Sequence, residues 1–124
     1  MKYTIEKSAD LEIIKVTVDG RLNHLVRKEI FSQVISELKT NGYNRLLFDV
    51  SNSILSSDFT GAEAIKMSNY MKTFEVQKNT KIVFLGPTTS IMQTILLIIA
   101  KAVNRGIDIK HFFNYDDATT WLCQ

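Results

Sequence analysis

Two short runs, "RLLFDV" at 45–50 and "KIVFLG" at 81–86, constrain the fold of this chain more than any other feature. Each is almost uninterrupted in apolar character and is bounded by turn residues. A strand with one wet face would alternate apolar and polar residues, whereas a strand covered on both faces has no reason to. Runs of this length therefore predict parallel strands in the middle of a sheet, with helices over both faces.

The flanking segments fit that plan. Around Tyr3 and Ile5 the chain alternates, and "LEIIKVTV" alternates again with Ile14, Val16 and Val18 in one phase. The two strands are joined by a turn at Ser8-Ala9-Asp10 and make a hairpin. Leu11 and Ile13 stand in the opposite phase, so the second strand is expected to be covered on both faces for part of its length, until Gly20 breaks the pattern. From Asn23, a plausible N-cap, Val26, Ile30 and Val34 recur at helical spacing beside Phe31, Ile35 and Leu38, with Arg27, Lys28, Ser32 and Glu37 on the other side. Asn41-Gly42 supplies a left-handed stop.

Further helices are expected after Gly61, with Ala64, Met67, Met71 and Phe74 on one face, and from Ser90 to Asn104. The strand "DIKHFF" follows, and then a last helix capped by Asn114 that buries Ala118, Trp121 and Leu122. Strands separated by helices must return by crossovers. The predicted fold is one α/β domain over 1–124: a mixed, mostly parallel sheet with an N-terminal β-hairpin and about four helices.

Composition narrows the function classes. Fifteen Lys and Arg stand against 13 Asp and Glu, a formal net charge of +2, and the charges are scattered singly or in pairs. A basic patch that tracks nucleic-acid phosphates is not expected. The single cysteine, Cys123, permits no intramolecular disulfide and no cysteine metal cluster. The opening "MKYTIEKSAD" lacks the apolar core of a signal peptide, so a cytoplasmic location is expected.

Catalytic chemistry has no positive support, and the chain is not expected to be an enzyme. His24 and His111 are far apart and in no metal-ligand spacing, and a solvated helix residue and a strand residue are their simplest roles. No Gly-x-Ser-x-Gly elbow accompanies the many hydroxyls. "GPTTS", with Pro87, has neither a Walker lysine nor its glycine spacing, and turns the chain into a helix instead. Asp49, at the end of a buried strand, is expected to accept hydrogen bonds from nearby backbone N–H groups. No cofactor or metal is implied.

The segment "SSDFTGAEA" at 56–64 is the strongest regulatory candidate. Thr60 and Glu63 have the spacing of a capping box, in which Thr60 only starts a helix. Ser57 and Asp58 offer competing caps, in which case the Thr60 hydroxyl faces solvent in the first helical turn. The loop "SNSILSSD" leaves the carboxyl end of a strand, where α/β sheets meet ligands and partners. A phosphoryl group on Thr60 would face free N–H groups at a helix N-terminus and be repelled by Asp58 and Glu63, switching local charge while the fold stays intact.

The strand pattern, "VDGRLN" leading into the first helix, "LLFDVSNS" and "DFTG" opening the next helix resemble STAS domains, the fold of anti-sigma-factor antagonists. In that family the loop after the third strand carries Asp-Ser-Ser-Gly, and the residue before the glycine is the phosphoacceptor. By that resemblance the phosphoacceptor is Thr60, with Asp49, Ser57, Asp58 and Gly61 as its switch-loop neighbours. Phe59 departs from the family's serine. "FFNYDDATTWL" is similar to the ending of the SpoIIAA-like branch, which shares its general fold with CRAL-TRIO lipid-binding domains. The resemblance implies a regulatory module that binds a protein partner. A different use of the fold, as a small carrier or sensor of an apolar ligand, is the alternative.

The segment "SIMQTILLIIAKAV" bears on that choice. Ile91, Ile95, Ile98 and Ala102 lie on one helical face and Met92, Leu96, Ile99 and Val103 on the adjacent one, a wider apolar arc than a helix lying on a sheet needs. Either neighbouring helices cover the excess, or Met92, Leu96, Ile99 and Val103 form a homodimer contact, a partner surface or the wall of an apolar pocket. Gln93, Thr94, Lys101 and Asn104 leave no stretch long enough to span a bilayer.

Overall fold

The computed structural model describes residues 2–22, 24–55, 66, 80–86 and 108–124. They form β1 (Lys2–Ser8), β2 (Ile13–Leu22), α1 (His24–Asn41), β3 (Arg45–Leu55), β4 (Lys81–Leu85), β5 (Asp108–Phe112) and α2 (Tyr115–Leu122). The strands make one sheet in the order β1-β2-β3-β4-β5. β1 and β2 are antiparallel, and every other neighbouring pair is parallel. The two apolar runs are thus interior, parallel neighbours, with Leu46 opposite Ile82 and Phe48 opposite Phe84. The helices expected after Gly61 and from Ser90 to Asn104 lie outside the described residues, apart from Lys66, which is helical.

The pleat sorts the side chains between two cores. One face carries Ile14, Val16, Val18, Leu46, Phe48, Val50, Ile82, Phe84 and Ile109, packed with Ile30, Phe31, Val34 and Leu38 of α1. Phe48 is its hub, edge-on to Phe31 at 5.8 Å and stacked on Phe84 at 5.1 Å. The other face carries Ile13, Leu47, Val83 and Leu85 under Ala118 and Leu122 of α2. Adjacent residues such as Leu46 and Leu47 are buried on opposite sides, which is why their run does not alternate. Each such side chain contributes roughly 1.5–3 kcal/mol by leaving water.

Two helix ends follow the expected capping chemistry, and Asn23, the expected N-cap of α1, lies outside the described residues. Gly42 adopts φ +68°, and its N–H donates to the Leu38 carbonyl at 2.9 Å. Asn41 Nδ2 adds a bond to the Glu37 carbonyl at 2.8 Å. Asn114 has extended backbone and its Oδ1 accepts from the Asp117 N–H at 2.9 Å, so the cap of α2 is as read from the sequence.

Four readings need correction. Leu11 is not in β2; it is exposed in the turn between Ser8 and Ile13, so Ile13 alone begins the two-sided part of the strand. Arg27 is on the buried stripe of α1, 4% exposed, because it precedes Phe31 and Val34 by four and seven residues. Trp121 is half-buried, at the rim of the smaller core beside Phe112. Finally, neither β2 nor β3 stops where the apolar pattern stops: β2 continues through Gly20 to Leu22, and β3 continues to Leu55.

Candidate functional site at the carboxyl ends of the strands

That extension shapes the region from which the 56–61 segment departs. Thr17 pairs with Asp49 but Asp19 pairs with Asn52, so β3 carries one extra residue between these pairs. At this bulge Asp49 Oδ1 accepts from the Ser51 N–H at 3.1 Å, a local bond that supplies the amide with an acceptor where the ladder shifts register. Asp49 therefore has the role expected from the sequence, an acceptor for backbone N–H. β4 ends at Leu85, opposite Asp49, while the ladder with β2 runs on through Gly20–Ser53, Arg21–Ile54 and Leu22–Leu55. Gly20 has φ +96°, a conformation that glycine adopts without strain.

Beyond the bulge, β2 and β3 thus form a parallel two-stranded extension past the end of β4. Thr60 follows Leu55 by five residues, and α1 starts two residues after Leu22, so both depart from the same end of the sheet. Ser57, Asp58, Thr60 and Gly61 themselves lie outside the described residues, as do Met92, Leu96, Ile99 and Val103. His24 opens α1.

Several large apolar side chains at this end are turned to solvent. Leu25 in the first turn of α1 is 75% exposed and Phe113, just after β5, is 67% exposed. Tyr115, in the first turn of α2, is exposed under Lys15, whose Nζ lies 5.0 Å from the ring centroid. Neither Leu25 nor Phe113 was singled out by sequence reading; each looked like one more apolar residue of an element, and their exposure depends on tertiary placement. His111 is half-buried, with Nε2 2.8 Å from the Gly86 carbonyl oxygen and its ring edge-on to Phe113 at 4.7 Å. The Gly86 N–H in turn donates to the Phe112 carbonyl at 3.1 Å. These contacts tie the ends of β4 and β5 together and give His111 a structural role.

Among the described residues no group of three or more His, Cys, Asp or Glu could hold a metal ion, and no helix is long and apolar enough to cross a membrane.

No protein-family model matches the sequence, and no curated protein matches it. Solved structures do match the fold. An anti-sigma factor antagonist from Mycobacterium paratuberculosis superposes with a TM-score of 0.67 at 15% identity, covering 99% of this chain and 94% of that one. A putative anti-sigma factor antagonist from Thermotoga maritima gives 0.68 at 13% identity, covering 98% and 95%. A protein from Shewanella loihica described as having a SpoIIAA-like fold gives 0.60 at 19% identity, covering 98% and 93%. With a sheet of one antiparallel and three parallel pairs matching these structures over nearly its whole length, the chain has the SpoIIAA-like fold of the anti-sigma factor antagonists.

Proposed function

We propose that the chain is a non-catalytic, cytoplasmic regulatory module of STAS type that binds a protein partner through the carboxyl end of its sheet and is switched by phosphorylation of Thr60. The observation that carries this reading is positional. DFTG follows β3 at the end of the sheet where Leu25, Phe113 and Tyr115 present apolar surface to solvent. Large exposed side chains of this kind suit the core of a protein contact. A phosphate on Thr60, in the segment that follows β3, would add charge that disfavours burial against a partner. The likeness to solved anti-sigma factor antagonists, one of them SpoIIAA in its phosphorylated form at 11% identity and a TM-score of 0.61, supports the same reading.

In this account Asp49 holds the bulge that sets the direction in which β3 delivers the DFTG segment, with Ser57, Asp58 and Gly61 flanking the acceptor. Phosphopeptide mapping of protein purified from its own host tests the modification. Phosphate on Thr60 is the expected result. Recovery of the 56–64 peptide only in unmodified form, under conditions where partner binding is regulated, would contradict it.

A further inference from the structure

Among the described residues both outer strands of the sheet, β1 and β5, are edges, and they differ in what they offer to a second copy of the chain. Among the described residues β1 is bonded to β2 alone, through seven consecutive residue pairs without a bulge. It is held against α1 by Tyr3 Oη, which donates to Glu29 Oε1 at 2.7 Å, and by Lys7 Nζ, which donates to Asn41 Oδ1 at 3.2 Å. Tyr3 and Ile5 point to the α1 side, where they pack only partly buried at the margin of the large core; Thr4 and Glu6 are exposed on the other side. An edge of this kind is straight, anchored and incompletely covered.

We propose that two copies of the chain associate through antiparallel pairing of their β1 strands, centred on Thr4. A two-fold axis perpendicular to the sheet keeps equivalent faces together and so allows only pairings of residues with the same parity. Centring on Thr4 sets Lys2 opposite Glu6 twice, Tyr3 opposite Ile5 twice, and Thr4 opposite itself. Every pair is matched by residue type: lysine with glutamate and threonine with threonine at the even positions, and tyrosine with isoleucine at the odd positions that border the large core. Centring one residue later sets Tyr3 against Lys7 and Thr4 against Glu6, and loses both charge pairs. The opposite edge offers a shorter match: pairing β5 about Lys110 sets Lys110 against Lys110 and Asp108 against Phe112, and pairing it about Ile109 sets Asp108 against Lys110 but matches only residues 108–110, against five matched residues in β1. The pairing calls on no residue of the Thr60 segment, so the dimer stands or falls independently of the switch.

The pairing is short, so the dimer is expected to be weak and concentration-dependent. Disulfide trapping reads such an encounter directly. In a Cys123→Ser background, Thr4→Cys brings two thiols opposite each other and is expected to give cross-linked dimer on mild oxidation. Glu6→Cys, whose symmetry mate is displaced by four residues along the strand, is expected to give little. Sedimentation velocity supplies the second arm: Glu6→Lys should weaken self-association about tenfold by turning both charge pairs repulsive, and adding Lys2→Glu should restore it. Equal cross-linking at the two positions, a wild type that stays monomeric up to millimolar concentration, or a failure of the double variant to recover would overturn the proposal.

Discussion

The two ends of the parallel sheet are built differently. At the amino ends of the strands, cations are used to close the structure. Arg45 Nη1 donates to the Leu11 carbonyl at 2.6 Å and pins the hairpin turn to the start of β3. Lys81 Nζ reaches the Trp121 and Gln124 carbonyl oxygens at 3.2 and 3.3 Å and lies 5.0 Å from the Trp121 ring centroid. It thereby satisfies carbonyls at the end of α2 and complements the helix dipole. Lys110 approaches the same ring at 5.5 Å. At the carboxyl ends the strands are of unequal length, β3 is bulged, and Leu25, Phe113 and Tyr115 are exposed. The first end contributes stability, and the second presents surface, which is why a regulatory contact is assigned to it.

The largest effects should come from the cores that separate these two ends. Leu46→Ala or Leu47→Ala, each removing a side chain with no solvent exposure, should cost about 2–5 kcal/mol by chemical denaturation. The two test opposite faces of the sheet, and a loss near zero at Leu47 would mean that the α2 face is not a real core. Next, Lys81→Met should cost about 1–2 kcal/mol by leaving the carbonyls at the end of α2 without their cation and the Trp121 ring without the nearer of its two lysines. Asn114→Ala should cost about 1 kcal/mol through loss of the α2 cap. If both prove silent, α2 is held by the apolar packing of Ala118, Trp121 and Leu122.

At the carboxyl end the expectation reverses. Leu25→Ser and Phe113→Ser should alter stability by less than about 0.5 kcal/mol, because neither side chain leaves water on folding to any great extent. Both should weaken partner binding. A large loss of stability from either would show that it packs within the fold and is not presented.

Much of this architecture was legible in the sequence. Leu46, Leu47, Ile82 and Val83 announce strands covered on both sides because burial on alternating faces leaves no polar position to spare. Gly42 and Asn114 are legible because capping depends on local chemistry. The continuation of β3 through Ser51 and Asn52 was not, since these exposed polar residues owe their extended conformation to pairing with β2 beyond the bulge, a partnership set by tertiary register. Arg27 was assigned to the polar side by its charge, although its spacing from Phe31 and Val34 already placed it on the buried stripe. Of the proposed switch, Asp49 was legible as a backbone acceptor, while Thr60 owes its assignment to a four-residue motif and its place after β3.

The smallest effect expected is in alkaline solution and concerns the edge that β1 forms against α1. The hydrogen bond to Glu29 raises the Tyr3 phenol pKa above its ordinary value of 10.0, with desolvation and the Glu29 charge acting in the same direction and Gln33 opposing. The neutral phenol is thus favoured by folding. Its contribution is fully present below pH 10, the value for the unfolded chain, and is lost as the pH rises through the higher folded value. Tyr3→Phe should flatten the alkaline fall in melting temperature. An unchanged profile would mean that the bond to Glu29 adds no pH-dependent stability.

The central claim, that the carboxyl end is a partner surface governed by Thr60, is tested most directly by quantitative affinity capture from host extract with wild type, Thr60→Ala and Thr60→Glu. Melting curves should first establish that the three are within about 1 kcal/mol of one another, the scale of a lost helix cap. The account predicts that Thr60→Ala retains the partner as permanently unmodified protein would, and that Thr60→Glu loses it. If both variants capture the same proteins in the same amounts as wild type, Thr60 is a helix cap and the switch does not exist.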